Sequence, residues 1–116
     1  MHMRSGLTIL GLLVTLGCRQ APPPQQQIDV VGIRSEMLVI GQAEGRYLVA
    51  HSAYGTLEQL HEDDLLTSPP DRRGYIFNVA VDGNQGFTVT ATPSDPNKKD
   101  WPTLAMDQTM QVTERR

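Results

Sequence analysis

Cysteine is almost absent from this chain, because Cys18 is the only one in 116 residues. One cysteine excludes an intramolecular disulfide, and the length allows one small domain that its own core must hold together. Neither sign of charge dominates, since 10 lysines and arginines stand against 13 aspartates and glutamates along the chain. Without a basic face to follow phosphates, nucleic acid is not an expected partner.

Hydrophobic runs are short as well. The uncharged, mostly aliphatic stretch at residues 7–17 follows Arg4 and, as a helix, would rise only about 16 Å. A bilayer has a hydrocarbon core about 30 Å thick, so this stretch is too short to span it comfortably. Residues 1–17 are therefore predicted to be a cleaved export signal, with a retained apolar anchor as an alternative.

Cys18 stands where the apolar stretch ends, directly after the small residue Gly17. This arrangement resembles a bacterial lipoprotein signal, although Thr15 occupies a position where such signals usually carry leucine. The resemblance implies that Cys18 is acylated, with palmitate-type chains, and becomes the mature N-terminus. The protein would then be lipid-anchored to the inner or outer cell membrane, with its domain facing the periplasm or the exterior. An ordinary signal peptide with an incidental cysteine is the alternative.

The chain after Cys18 divides into a spacer and a domain. Proline and glutamine dominate residues 18–27, which are predicted to form an extended, semi-rigid linker. Residues 28–116 have enough apolar side chains for one small core.

A long helix is predicted over residues 30–52, with Asp29 as its N-cap. Spacings of three and four residues place a stripe of six side chains on one face of this helix. The stripe consists of Ile33, Met37, Ile40, Glu44, Tyr47 and His51.

Three apolar residues lie off this stripe, namely Val31, Leu38 and Val39. A sheet covers only one side of a helix, so these side chains are predicted to be exposed and to bind a partner. The spacing of Gly41 and Gly45 matches a membrane helix-pairing motif, but no apolar stretch of about 20 residues contains it. Packing against the protein's own sheet and pairing with another helix are both open for these glycines.

The remaining elements indicate an α+β fold. Thr56 and Gln59 match a capping box that begins a short second helix. Alternating apolar and polar residues then predict a hairpin over residues 75–81 and 87–92, followed by shorter strands at 103–106 and 110–113. The predicted architecture is a long N-terminal helix packed on a small antiparallel sheet of about four strands.

In this order, the elements resemble the globular head of type IV pilins and of type II secretion pseudopilins. That resemblance implies a pilin-like head that binds other proteins. The chain departs from the family because no phenylalanine-rich apolar helix with an early glutamate precedes the head, so filament entry by the usual route is not implied. The residues that carry the resemblance are Ala43-Glu44, Tyr47, Tyr54-Gly55-Thr56-Leu57, Leu60, Leu65-Leu66, Pro69-Pro70, Arg73-Gly74-Tyr75, Phe77, residues 87–93 and Asp107-Gln108-Thr109.

Residues capable of chemistry are present, but they form no convincing site. Residues 61–64, a histidine followed by three acids, suit a solvated helix end better than a metal site, because consecutive side chains diverge. Ser68 lacks the glycine-rich turn of a nucleophile. Some pseudopilins bind calcium in a loop that Asp95, Asn97 and Asp100 could imitate, but two lysines lie inside it. No metal, cofactor or catalytic residue is predicted.

Trp101 is the one large aromatic beside a polar loop, and it is predicted either to cover the sheet edge or to contact a partner. The sequence thus favours a non-catalytic, lipid-anchored protein that docks onto a secretion or pilus assembly of the cell envelope. The alternative function is a small-ligand or ion-binding lipoprotein module at the membrane surface.

Overall fold

The computed structural model describes residues 23–66 and 73–115. Two helices come first, and a sheet follows them, with a single 3₁₀ turn between its second and third strands. The predicted α+β architecture, a long helix on a four-stranded antiparallel sheet, is confirmed. The elements are α1 (Pro24–His51), α2 (Leu57–Glu62), β1 (Tyr75–Asp82), β2 (Gly86–Pro93), the 3₁₀ turn (Pro96–Lys98), β3 (Thr103–Asp107) and β4 (Val112–Arg115).

Helix α1 begins at Pro24, so the predicted start at residue 30 is wrong. Proline is well tolerated in the first helical turn, where its missing N–H has no intrahelical partner to lose. The glutamines that follow are good helix formers. Residues 24–27 are therefore helical and do not belong to an extended linker. Asp29 lies inside the helix and does not cap it, because the N-cap is Pro23.

The sheet has the simple order β1-β2-β3-β4, and every neighbouring pair is antiparallel. Strand β4 begins at Val112, two residues later than predicted. The delay arises because the Met110 N–H bonds to the Asp107 carbonyl over 2.9 Å, which extends the turn. Met110 adopts a φ of 67°, a left-handed conformation that L-residues other than Gly and Asn rarely enter.

The core lies between α1 and one face of the sheet. Five large apolar residues of α1, β1 and β2 are buried there, with exposed fractions of 8% or less. The hydroxyl of one of them, Tyr75, donates a 2.6 Å hydrogen bond to the Pro102 carbonyl. Its polar end is therefore satisfied inside the core. The five residues are Tyr47, Tyr75, Phe77, Phe87 and Val89.

Helix α2 begins with the predicted capping box. The Thr56 side chain accepts from the Gln59 N–H, and the Gln59 side chain accepts from the Thr56 N–H. Leu60 is fully buried and joins α2 to the core. Neither helix in the described part of the chain is both long and apolar enough to cross a bilayer.

Candidate functional site

The side of α1 that faces away from the sheet carries an exposed, uncharged stripe, which we call the outer seam. Its members recur at alternating spacings of three and four residues, the pattern of side chains along a two-helix contact. All of them are exposed, and Val49 reaches 86%. The outer seam consists of Ile28, Val31, Ser35, Leu38, Gln42, Gly45 and Val49.

Three residues predicted to bind a partner lie on this side of the helix. Val31 is 62% exposed, Leu38 is 37% exposed and Val39, which flanks the seam, is 45% exposed. The predicted exposure is thus confirmed, while the role of these residues in binding stays a prediction. Large apolar side chains grouped on one face of a helix are typical of an interaction surface.

The positions of α1 that border the outer seam carry positive charge only. Arg34 and Arg46 are the charged residues among them, and no acidic residue accompanies them there. Arg34 forms an ion pair with Glu114 on β4. A groove of about 300 Å³ adjoins this end of the seam, lined in part by Val31, Arg34 and Pro102. The surface therefore combines an uncharged stripe, a groove that Glu114 also lines, and two flanking arginines, one of them paired with that acid.

A second cluster lies on the other side of α1, around the carboxylate of Asp29. Its Oδ1 accepts a 3.1 Å hydrogen bond from Nη1 of Arg73, and its Oδ2 accepts one of the same length from Nζ of Lys98. Lys98 also donates to the Arg73 carbonyl over 2.8 Å. The guanidinium of Arg73 lies so close to Gly32 that a side chain there would displace it. This cluster ties the first turns of α1 to the sheet.

The surroundings of Asp29 decide its ionisation. Burial opposes the charged form, but hydrogen bonds from Lys98, Gln25 and Arg73 outweigh that effect and lower the pKa of Asp29. The side chain of Asp29 is only 7% exposed, so it is screened little by solvent. Its role is structural, because each of these contacts fastens one element to another.

Trp101 belongs to the neighbourhood of Lys98. The ammonium group of Lys98 lies 4.6 Å from the centre of the indole ring, within cation–π distance. Trp101 is half-buried and packs against the core. Lys98 therefore occupies one face of the ring, and the packing supports the prediction that Trp101 covers the sheet. The predicted contact of Trp101 with a partner stays a prediction.

Glu44 is a buried carboxyl in the middle of the molecule, with no exposed surface. Its Oε1 accepts a 2.7 Å hydrogen bond from the Gly55 N–H, but its Oε2 has no hydrogen-bond partner among the described residues. Burial raises the pKa of Glu44, and the bond from Gly55 offsets only part of that rise. Glu44 therefore fastens the loop after α1 at some cost in desolvation.

The histidine-containing segments form surface contacts. His51 Nε2 lies 2.6 Å from Oδ2 of Asp63, and its ring stacks on Tyr47 at 4.0 Å. Asp95 caps the 3₁₀ turn by accepting from the Asn97 N–H.

Across residues 23–66 and 73–115, no group of three or more His, Cys, Asp or Glu side chains is placed to hold a metal ion. Cys18 and Ser68 lie outside the described residues.

The two glycines with helix-pairing spacing serve different surfaces. A side chain on Gly41 would collide with the ends of Met106 and Met110, so Gly41 packs against the protein's own sheet. Gly45 has open space around it and lies in the outer seam. Gly41 and Gly45 therefore do not form one surface for close helix packing. The prediction that these glycines pack against the protein's own sheet is confirmed for Gly41 alone.

Sequence reasoning missed the Asp29 cluster. Asp29, Arg73 and Lys98 are separated by up to 69 residues, and each is an ordinary surface residue type. The one available signal was the position of Asp29 one turn before Ile33, which places it near the buried stripe.

Comparisons with known proteins found no matching family, no similar curated protein and no similar solved structure.

Proposed function

We propose that this chain is a non-catalytic, lipid-anchored envelope protein with a pilin-like head that docks onto a secretion or pilus assembly through the outer seam. The observation that carries the proposal is the seam itself, in which seven consecutive contact positions are exposed and none is charged. A folded protein gains nothing from such a stripe in water, whereas burying it against a partner yields about 25 cal/mol per Å² of apolar surface.

The borders of the seam define the chemistry of the partner. Arg34 and Arg46 flank it on α1, and Glu114 of β4 already pairs with Arg34, so a complementary surface carries apolar residues with a carboxylate near Arg46. The Arg34–Glu114 ion pair holds one of these cations in place beside the groove. We therefore expect an amphipathic helix with an acidic residue facing Arg46 as the docking element.

Three acids have shifted pKa values, and all three take part in structural contacts, which agrees with a non-catalytic role. Asp29 is held by two cations and Glu44 by a backbone N–H. The exposed Asp107 has a lowered pKa because the hydroxyl and the N–H of Thr109 donate to it. Each of these acids is engaged in holding a helix, a loop or a turn.

The anchor proposed at Cys18 brings the seam to the membrane. Helix α1 begins at Pro24, so few residues separate Cys18 from the first seam residue, Ile28. An acylated Cys18 would keep that end of the seam close to the bilayer, where an envelope assembly is embedded.

Charge substitutions in the seam test the docking. Leu38→Glu combined with Val31→Lys should abolish recovery of a defined envelope complex from crosslinked cells and leave the melting temperature nearly unchanged, because both side chains are exposed. The matched control is Thr92→Glu with Thr113→Lys on the outer sheet face, which should not affect recovery. Unaltered recovery with the seam variant would refute docking through this surface.

Processing tests the anchor separately. Globomycin or Cys18→Ala should leave an unprocessed precursor, and intact-mass measurement of the wild-type protein should show an acylated N-terminal Cys18. A mature chain that begins at any other residue would rule out the lipid anchor while leaving the docking proposal standing.

A further inference from the structure

The outer edge of β1 is a second surface with unused binding capacity. β1 pairs with β2 over its eight residues, and no strand among the described residues pairs with its other side. An edge strand presents every second residue's N–H and C=O groups outward, ready to pair with another strand. This edge is distinct from the outer seam, because one belongs to the sheet and the other to the far side of α1.

In the part of the chain that the structure describes, the second half of β1 is the more exposed half. Tyr75 and Phe77 are buried, but Val79 is only half-buried and Val81 is 37% exposed. All four side chains point to the same face, since alternate residues of a strand share a face. Val79 and Val81 therefore lie on the inner face of the sheet but are only partly covered, and a strand added beside β1 would cover them further.

The two edges of the sheet differ in their protection. β4 is four residues long, includes Glu114 and Arg115, and is pinned by the ion pair of Glu114 with Arg34. Short length and charge are the usual means of preventing edge-to-edge pairing. β1 is twice as long, has no proline, lysine or arginine, and carries one charge, Asp82, at its end. The β1 edge lacks the protection that β4 has.

We propose that two copies of this chain pair through β1, antiparallel to each other, around a two-fold axis at Ala80. Ala80 is the centre of the exposed half, residues 78–82, so this register uses the open part of the edge. Val79 then lies opposite Val81 of the second copy on the inner face. On the outer face, Asn78 lies opposite Asp82 of the second copy, and its amide donates to that carboxylate.

The placement of charged and apolar side chains favours a second copy of this chain over an unrelated strand. The antiparallel register places the two Asp82 carboxylates at opposite ends of the ladder, each beside an amide. It also gives Val79 and Val81 apolar neighbours on the face where they are exposed. A ladder of five residues buries less than the roughly 800 Å² per partner of a standard interface, so the dimer is weak, with a Kd of about micromolar or higher.

A crosslink at the axis tests the register. Directly opposed residues in an antiparallel pair have Cα atoms about 4.5–5.5 Å apart, within the range of a disulfide. Ala80→Cys in the full chain should form a disulfide-linked dimer under mild oxidation, whereas Thr113→Cys, exposed on β4, should form little. The unsubstituted chain controls for bridging through Cys18. Equal crosslinking at positions 80 and 113, or none at 80, would overturn the proposal.

A charge exchange tests the same register without new cysteines. Asn78→Asp places like charges opposite each other twice in the dimer, and should weaken self-association in sedimentation velocity by about three- to tenfold. Adding Asp82→Asn should restore association. If Asn78→Asp left association unchanged, or the second substitution failed to restore it, the pairing would be wrong. Leu38→Glu in the outer seam should leave dimerisation intact, which separates this result from the docking experiment.

Discussion

The Nζ atom of Lys98 lies 3.1 Å from Oδ2 of Asp29, across 69 residues of sequence. Through this contact, the loop between β2 and β3 holds the second turn of α1. Arg73, in the turn just before β1, binds the other oxygen of the same carboxylate. Three separate parts of the chain therefore depend on one acid.

Asp29→Asn should lower the free energy of unfolding by about 2–4 kcal/mol. The substitution keeps the shape of the side chain but removes the negative charge that Asp29 presents to both Arg73 and Lys98. Urea denaturation at neutral pH measures the effect. Asp100→Asn, at an exposed position, is the matched control and should change stability by less than about 0.5 kcal/mol. Equal effects of the two substitutions would show that the cluster contributes nothing.

The same carboxylate makes stability depend on acidic pH. Because the folded state lowers the pKa of Asp29 below its ordinary value of 3.8, its contribution is fully present above that value. The contribution is lost as pH falls through the lowered pKa. Unfolding curves of the wild type and Asp29→Asn should therefore converge as pH falls below about 3.8. A stability difference that is constant with pH would contradict this assignment.

Glu44 should have the opposite pH dependence. Because burial raises its pKa above the ordinary value of 4.5, the folded state holds this proton more tightly than the unfolded state. Its effect is most favourable below pH 4.5 and is lost as pH rises through the raised pKa. Glu44→Gln removes this titration, so its stability relative to the wild type should improve from pH 4.5 to pH 7.5. Chemical denaturation at both values measures the change, and a relative stability that falls over this interval would refute it.

Phe77 and Phe87 should be the most sensitive core positions in the sheet. Each is 5% exposed or less, and Phe87 also packs edge-on against Tyr54 at 4.9 Å. Phe77→Ala or Phe87→Ala should lower the free energy of unfolding by about 3–5 kcal/mol, because each leaves a cavity. Thermal melting followed by circular dichroism is sufficient, with Ile76→Ala as the control on the outer face. Melting curves that match the wild type would contradict the assigned core.

Gly41 and Gly45 should respond differently to alanine. Gly45 has open space around it, so Gly45→Ala should stabilise the helix by about 0.5–1 kcal/mol. Gly41→Ala should show a smaller gain or a loss, because its methyl group must displace the side-chain ends of Met106 and Met110. Shortening the obstacle with Met110→Ala should reduce the effect of Gly41→Ala in a double-mutant cycle. Similar gains from alanine at both glycines would disprove the close packing at Gly41.

The spacing of apolar residues in the sequence was sufficient to predict the main helices and strands. Spacings of three and four residues placed Ile33, Met37 and Ile40 on the buried side of α1, and alternation assigned the inner faces of β1 and β2. The same patterns predicted that Val31, Leu38 and Val39 are exposed. These inferences succeed because helix and strand periodicity depend on neighbouring residues alone. Lipidation at Cys18 and the pilin-like identity stay predictions.

The sequence by itself determined the order of the helices and strands, the side of each that faces the core, and the uncharged character of the outer seam. Only the tertiary structure decided where α1 begins, which cations hold Asp29, why Gly41 and Gly45 differ, and which strands form the two edges of the sheet. Those features depend on contacts between residues far apart in the chain, such as Asp29 with Lys98. Local propensity contains no information about such contacts, because they arise only when packing brings the elements together.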